Sequence, residues 1–226
     1  MAATARLADD AITTVWVGGS SIDLSCPDPA IVCFREIGNT LSKIARFNGR
    51  YEGPLYSVAQ HCVVGAQALI NEGESAMHAA LFLLHDAHEW ILGDLITPAA
   101  KLYAAVGREL YGEANVLDAI GACKAAWDEA IYFAAGLPGP EAWSRKQRAT
   151  VENMDKRMQL AEAVALFGPR AAAHFPKSET PKLTGAIKPW PPMKAEEEFR
   201  KLAYRLIGED RVLERASIVA ANRALR

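Results

Sequence analysis

One stretch of the sequence, residues 79–92, constrains the fold more than any other part of the chain. It begins with six consecutive apolar residues, which predict a helix that is buried on all sides. His85, Asp86, His88 and Glu89 follow at once within the same predicted helix. An ionised carboxylate in an apolar interior is costly unless it is paired or bound to a metal, so these residues indicate a buried metal centre.

Helical geometry favours the same interpretation. Successive residues of a helix point about 100° apart, so His85 and Asp86 can approach one ion from neighbouring directions. Glu89 lies one turn after His85, on the same face. His88 is expected to point about a quarter turn away from the Glu89 face, which makes a role behind the ligands or at a second ion its less favoured interpretation.

Two further ligands are expected from other helices. His61 lies in the first turn of the preceding helix and is the candidate third ligand. Asp155 is the candidate fourth, because it borders the apolar stripe of a later helix, whereas Glu152 lies farther round. Two histidines and two aspartates would balance one divalent ion. They suit Mn, Fe, Co, Ni or Zn, and Mg is left open.

The composition excludes several classes of function. The chain has 226 residues, half of them hydrophobic, which is enough for one well-buried domain. Its 25 basic and 27 acidic residues nearly cancel, so neither a nucleic acid polymer nor a membrane surface is the expected partner. No apolar run approaches the roughly 18 residues of a membrane span, and residues 1–10 lack a signal-peptide pattern. The four cysteines form no CxxC pair, so a cytoplasmic location is expected.

The periodicity predicts an all-α fold with a small N-terminal β-hairpin. Alternating residues on both sides of two glycines predict the hairpin over 13–25, and six prolines predict an extended surface segment over 168–192. Helices are expected over 30–46, from 57 onward, and over 75–92, 97–106, 109–134, 141–167, 194–207 and 209–225. Residues 1–226 are interpreted as one domain, with a core of about 30–167 and a C-terminal extension of 168–226.

Capping signals predict where three of these helices begin. Ser57-x-x-Gln60 has the pattern of a capping box, and Ser75 is expected to cap the buried helix. Thr97-Pro98 predicts an N-cap followed by proline at the first helical position. Gly93-Asp94 is expected to end the buried helix after Leu92.

The order His61, His85-Asp86 and Asp155 on helices resembles the HD-domain metal-dependent phosphohydrolases. The longer pattern His85-Asp86-Ala87-x-Glu89-x-x-x-Gly93-Asp94-x-x-Thr97-Pro98 resembles the branch of bacterial 5′-deoxynucleotidases and phage deoxynucleoside triphosphohydrolases. Arg46-Phe47 is similar to that branch's Arg-aromatic pair, and Ser57-x-x-Gln60-His61 to its Ser-Glu-His, with Gln in place of Glu. The resemblance covers about residues 37–160, so the hairpin and the chain beyond Phe167 lie outside it.

The resemblance implies a role for each matching residue. It assigns His61, His85, Asp86 and Asp155 to a divalent metal, and it gives Glu89 the orientation or deprotonation of the attacking water. Arg46 would bind phosphate, Asp94 the sugar hydroxyl, and Phe47 the base or sugar. Thr97 begins a helix whose free N–H groups favour anions, and Lys101, one turn later, would meet additional phosphate charge.

Structural interpretations of the same residues stay open. Phe47 is also a core side chain, Arg46 a cation at a helix C-terminus, Asp94 a turn residue and Lys101 a solvated charge. Taken alone, His61 is a hydrogen-bonded core histidine and Asp155 a surface acid. His78 is expected to be structural, and His174 would approach the site only if its segment folds over it.

The function expected from these features is hydrolysis of a deoxynucleoside 5′-monophosphate by a divalent-metal phosphohydrolase. The first alternative keeps the same site but removes triphosphate from a deoxynucleoside triphosphate, which extra cations near the site would favour. A second is a catalytically silent, metal-stabilised binding domain, and a third is cleavage of a signalling nucleotide. A homo-oligomer, dimer or larger, is left open.

Overall fold

A computed structural model describes residues 6–112 and 115–224, and it confirms the all-α fold with a small N-terminal hairpin. The hairpin pairs strands β1 (Thr13–Val15) and β2 (Ser21–Asp23) antiparallel, with Thr14 opposite Ile22. Its tip contains Gly18 and Gly19, both with positive φ, which is the backbone geometry that such a tight turn requires. Within the described ranges, none of the helices is long and apolar enough to cross a membrane.

The helices follow one another along the chain with short connections, apart from the segment before the last two. The nine in the described ranges are α1 (Phe34–Leu41), α2 (Val58–Asn71), α3 (Ala76–Leu83), α4 (Glu89–Leu92), α5 (Thr97–Tyr111), α6 (Val116–Ala135), α7 (Arg145–Phe167), α8 (Pro192–Ile207) and α9 (Glu209–Ala224). Helix α2 packs against α3, α7 and α8, and α8 also packs against α1, so α2 occupies the centre of the core.

The first predicted helix is much shorter than the range 30–46. A short 3₁₀ turn covers Pro29–Ile31, and α1 ends at Leu41. Beyond it the backbone pairs with the segment that leads into α2: the amide of Arg46 donates to the Tyr56 carbonyl at 3.0 Å, and that of Val58 donates to the Ile44 carbonyl. These tertiary hydrogen bonds replace the helical ones that the apolar stripe predicts.

The buried helix does not run unbroken to Leu92, which corrects the prediction. It ends at Leu83, and residues 84–88 form turns with i→i+3 hydrogen bonds before α4 begins at Glu89. Nδ1 of His85 lies 2.7 Å from the carbonyl oxygen of Phe82. In a continuous helix that carbonyl would accept from the amide of Asp86, so the imidazole takes the place of a helical hydrogen bond.

A third difference between the predicted and observed helices lies around residue 107. The sequence predicts a break between 106 and 109, but α5 continues through Gly107 to Tyr111 and ends at Gly112 in the left-handed conformation. Thr97 is the first helical residue rather than the cap, and Ile96 precedes it without a side-chain cap. The predicted continuity of 109–134 includes residues 113 and 114, which lie outside the described residues, as do residues 225 and 226 at the end of the last predicted helix.

A close approach of α2 and α3 brings the first two histidine-bearing segments together. Gly65 faces the ring of Phe82, and a Cβ atom at this position would stand 2.2 Å from Cε1 of that ring. Only glycine therefore permits this spacing. Phe82 in turn stacks on the imidazole of His85, with ring centroids 4.3 Å apart.

The segment between α7 and α8 starts with a 3₁₀ turn over Pro169–His174 and then runs without regular structure to Pro191. Side chains of the helical core hold it. Ser57 caps α2 as predicted, accepting from the Gln60 amide, but the capping box is incomplete because the Gln60 side chain bonds elsewhere. The side-chain nitrogen of Gln60 donates to the carbonyl of Lys188, and its side-chain oxygen accepts from the amide of Trp190, both at 2.8 Å. Gln60 thus attaches this segment to α2.

A second attachment of this segment is the ion pair between Glu72 and Arg157. Nη1 of Arg157 donates to Oε2 of Glu72 at 2.8 Å, and the Lys182 amide donates to the other carboxylate oxygen at 2.9 Å. The hydrogen bonds from Arg157 are the main cause of the lowered pKa of Glu72. A carboxyl with a lowered folded-state pKa stabilises the fold at higher pH and loses this contribution as pH falls through that pKa.

We therefore expect Glu72→Gln to lower the free energy of unfolding by about 1–2 kcal/mol at pH 7, since hydrogen bonds to a charged group are lost. The difference from the parent should narrow as pH falls below the ordinary pKa of 4.5. Urea unfolding followed by circular dichroism at several pH values measures this. Glu52→Gln, at an exposed position, is the control and should leave stability unchanged. A pH-independent difference for Glu72→Gln would contradict the ionic explanation.

Candidate metal centre

Three segments converge at one site that holds all four predicted ligands. His61 lies in the first turn of α2, His85 and Asp86 lie in the turns between α3 and α4, and Asp155 lies in the middle of α7. The imidazole of His61 is fully buried, while the side chains of Asp86 and Asp155 keep 17% and 27% of their surface exposed. The site is therefore rooted in the core and opens to solvent through its carboxylates.

Ligand atoms of His61, His85 and Asp86 all lie within 4.8 Å of one another, and Asp155 approaches the same two imidazoles. Nε2 of His61 lies 3.3 Å from Nε2 of His85, 3.7 Å from Oδ2 of Asp86 and 3.4 Å from Oδ1 of Asp155. Nε2 of His85 lies 3.3 Å and 3.7 Å from the same two oxygens. Ligands bound about 2.1 Å from one ion lie roughly 3.0–3.5 Å apart, so these spacings suit a shared divalent cation.

The other ring nitrogens of the two histidines are already occupied by acceptors. Nδ1 of His61 lies 2.6 Å from Oε1 of Glu162, and Nδ1 of His85 lies 2.7 Å from the Phe82 carbonyl. Each Nδ1 therefore donates, and in the neutral imidazoles both Nε2 atoms present lone pairs to each other. Oδ1 of Asp155 is also buried without a hydrogen-bond partner among the described residues. This opposition of lone pairs fits a cation held between them.

Glu162 holds this arrangement together, and the sequence interpretation did not identify it. Its side chain is fully buried, and it binds Nδ1 of His61, the hydroxyl of Tyr56 at 3.0 Å and the guanidinium of Arg46 at 3.3 Å. The signal was present, since Glu162 lies seven residues after Asp155, two turns along the same face of α7. Burial opposes ionisation, but His61 and Arg46 outweigh it and lower the pKa of Glu162.

Arg46 lies within the site rather than at a helix end, which rules out the helix-terminal interpretation. It is 9% exposed and starts the 3₁₀ turn Arg46–Gly49. Nη1 lies 3.3 Å from Oδ2 of Asp86, and Nη2 lies 3.9 Å from Oδ1 of Asp155. The next residue, Phe47, has a φ of 55°, an uncommon backbone conformation for a bulky residue. The two residues thus form a strained corner beside the ligands.

The predicted catalytic acids Glu89 and Asp94 lie next to the ligand set. Burial, followed by the charges of Asp86 and Asp94, raises the pKa of Glu89 to about 9. Burial also raises the pKa of Asp94, which is half-buried after the turn at Gly93. The charge of Asp86 therefore acts on both Glu89 and Asp94, which lie in the electrostatic field of a predicted ligand.

His88 enters the same region from the other side of Asp86. It is 5% exposed, and its Nδ1 lies 2.9 Å from Oδ1 of Asp128 on α6. One ligand atom from each of Asp86, His88 and Glu89 lies within 4.8 Å of the others. The sequence predicts a quarter-turn offset between His88 and Glu89, and the structure adds that His88 lies near both Asp86 and Glu89 just after the turns at 84–88.

The remaining predicted substrate residues are placed more loosely. Phe47 packs against Phe167 and Phe175, at ring-centroid distances of 5.5 Å and 6.5 Å, and lies under the Arg46 guanidinium. Thr97 is exposed at the first position of α5, and Lys101 is exposed one turn later. Across residues 6–112 and 115–224, neither forms a side-chain hydrogen bond or ion pair with the ligand residues.

Other candidate features lie outside the ligand cluster. Nδ1 of His78 is hydrogen-bonded to the carboxylate of Glu74, four residues earlier. Within the described part of the chain, His174 has no hydrogen bond to the ligand residues. A separate cavity of about 400 Å³ lies between the hairpin and α9, with Trp16, Ile22 and Val219 in its lining. None of the predicted ligands lines it, so it is not the metal centre.

Comparison with known proteins gives one family relationship. An uncharacterized protein of Rhodobacter capsulatus is 31% identical to this chain over 189 residues, which cover 81% of this chain and 89% of the relative. The chain belongs to the family of that protein. No family model matches the chain. The family relationship carries no activity with it, so the function is argued from the geometry of the site.

The position of Glu162 behind His61 generates a prediction. Glu162→Gln should weaken binding of a divalent ion about 10- to 100-fold, because the carboxylate that orients the imidazole is lost. It should also reduce the free energy of unfolding by about 3 kcal/mol, since the buried charge of Arg46 loses its partner. Chelator-competition titrations and urea unfolding measure the two effects. Glu152→Gln, at an exposed position of the same helix, should change neither. Unaltered ion affinity in Glu162→Gln would contradict its role in orienting His61.

Proposed function

We propose that this chain is a divalent-metal-dependent phosphohydrolase of the HD-domain type that hydrolyses deoxynucleoside 5′-monophosphates. The observation that carries the proposal is that two imidazole Nε2 atoms lie 3.3 Å from each other and each lies 3.3–3.7 Å from one oxygen of Asp86 and one of Asp155, in the order that the resemblance requires. The buried Glu89 beside this set supports catalysis over a silent metal-stabilised domain, because structure alone does not need a further buried acid.

His61, His85, Asp86 and Asp155 would hold the ion. A bound divalent ion lowers the pKa of water and offsets charge on a phosphate ester. The protein residues supply the rest of the chemistry. Glu89 would receive a proton from the attacking water in its ionised form, although burial and the charges of Asp86 and Asp94 raise its pKa to about 9 when no cation is bound. A bound cation nearby would favour its ionised form.

Arg46 and Asp94 are the proposed substrate contacts. The guanidinium of Arg46 borders Asp86 and Asp155 while Glu162 holds it from behind, so its position is fixed before substrate arrives. Its planar donors suit phosphate oxygens. Asp94 can accept a hydrogen bond from a sugar hydroxyl on the side of Glu89.

The fixed cations of the site favour a monophosphate. One divalent ion and Arg46 would offset the roughly two negative charges of a phosphate monoester. A deoxynucleoside triphosphate is the second candidate, because Lys101 is exposed one turn after the start of α5, whose free N–H groups also attract anions. All four cysteines are unpaired, which supports the expected cytoplasmic location.

Two substitutions separate ion binding from chemistry. Asp155→Asn should lose the ion held by the histidines and aspartates, and with it activity. Glu89→Gln should keep that ion but lower turnover on the order of a hundredfold, as expected when a general base is removed. Metal analysis by mass spectrometry and a phosphate-release assay with deoxynucleoside monophosphates test both. An Asp155→Asn protein with full metal content would remove Asp155 from the ligand set.

Lys101 distinguishes the two substrate classes. For a monophosphatase, the parent should release phosphate from monophosphates and hydrolyse triphosphates poorly, and Lys101→Ala should have a small effect on both. For a triphosphohydrolase, Lys101→Ala should raise the KM for triphosphates at least several-fold more than that for monophosphates. Lys177→Ala, an exposed lysine of the extended segment, is the control. Rapid release of intact triphosphate by the parent would favour the second candidate over the first.

A further inference from the structure

We propose that Asp86, His88 and Glu89 form a second divalent-cation site that shares the carboxylate of Asp86 with the first. The inference deepens the proposed function, and it rests on that function only for the identity of the first site. Three different ligand-bearing residues within four positions contribute to it, which the turns between α3 and α4 allow and a continuous helix would not.

The environment of His88 matches that of the two histidines in the first site. In all three, Nδ1 is held by an oxygen acceptor: Glu162 for His61, the Phe82 carbonyl for His85 and Asp128 for His88. Metal-ligating histidines usually donate their second ring nitrogen in this way, which fixes the tautomer and orients the lone pair. His88 therefore has Nε2 available for a ligand.

Unpartnered buried atoms provide a second, independent observation. Nε2 of His88 and Oε2 of Glu89 each lack a hydrogen-bond partner among the described residues, although both side chains are more than nine-tenths buried. Leaving such groups unpaired in the interior costs free energy. One ligand atom from each of Asp86, His88 and Glu89 lies within 4.8 Å of the others, so the three residues are near enough to contribute to one site.

The balance of charge also favours a second cation. Six carboxylates lie in this region: Asp86 acts on the pKa of Glu89, Asp94 and Asp128, Asp155 acts on that of Asp86, and Glu162 pairs with Arg46 beside them. Arg46 and Lys124 are the basic side chains that act on Glu89. A single divalent ion leaves this group with excess negative charge, and a second would largely neutralise it.

The second ion would change how Glu89 works. Glu89 would be kept ionised if one of its oxygens held that ion, and its other oxygen would then be available to accept a proton. Two cations sharing one carboxylate would also offset more charge on a phosphate ester than one cation with Arg46 alone. The ligand set of one imidazole and two carboxylates suits Mn²⁺, Fe²⁺, Co²⁺ or Zn²⁺, since no thiolate takes part.

Manganese titration of the full-length protein tests this inference without relying on activity. Metal-free protein is titrated with Mn²⁺, and electron paramagnetic resonance counts the bound ions and detects magnetic coupling between them. The parent should bind two ions per chain, coupled through the shared carboxylate. His88→Ala should bind one, without the coupled signal. Asp128→Asn should weaken the second ion about 10- to 100-fold while leaving His88 in place.

His78→Ala is the matched control, because His78 is also a buried histidine held by a carboxylate, and it should still bind two ions. A parent protein that saturates at one ion, or a His88→Ala variant that still binds two, overturns the second site. The phosphate-release assay is scored separately. One bound ion with hydrolysis refutes only the second site, and two bound ions without hydrolysis refute only the proposed function.

Discussion

The buried carboxylate of Glu162 is the interaction on which the site depends. It has no exposed surface, and it binds three groups in and just before α2: the Arg46 guanidinium, the His61 imidazole and the Tyr56 hydroxyl. A buried charge is tolerated only when each of its hydrogen-bonding positions is used. Glu162 therefore fixes the tautomer of His61 and holds the Arg46 guanidinium next to Asp86 and Asp155. It also attaches α7 to the segment that precedes α2.

The sequence was sufficient to find the residues that meet at the centre. His61, His85, Asp86 and Asp155 were selected because a carboxylate in an apolar helix needs partners, and the structure brings all four together. The same argument, applied to every acid that follows an apolar stripe, would have found Glu162 and Asp128. Both lie on inward faces of their helices, and neither belongs to the short patterns that the resemblance contains.

The backbone between these residues could not be read from periodicity. An apolar run predicts that a segment is buried. It does not show that Nδ1 of His85 bonds to the Phe82 carbonyl where α3 ends, or that His88 lies close to Asp86 and Glu89 just after this break. In the same way, Gln60 fits a local capping box, yet its amide bonds to the backbone at Lys188 and Trp190. In both cases a side chain makes a tertiary or local hydrogen bond that competes with regular structure, and sequence spacing gives little information on which of the two prevails.

The contact of Gly65 with Phe82 links the packing of the hydrophobic core to the size of the ion that the site would bind. Phe82 stacks on one histidine and lies 5.6 Å from the ring of the other, so the thickness of this aromatic layer sets how far apart the two nitrogen donors stand. Cations of different radius need different donor separations. The size of the preferred ion would then depend on the apolar packing behind the ligands. A substitution in the core could change which metal binds without altering any metal ligand.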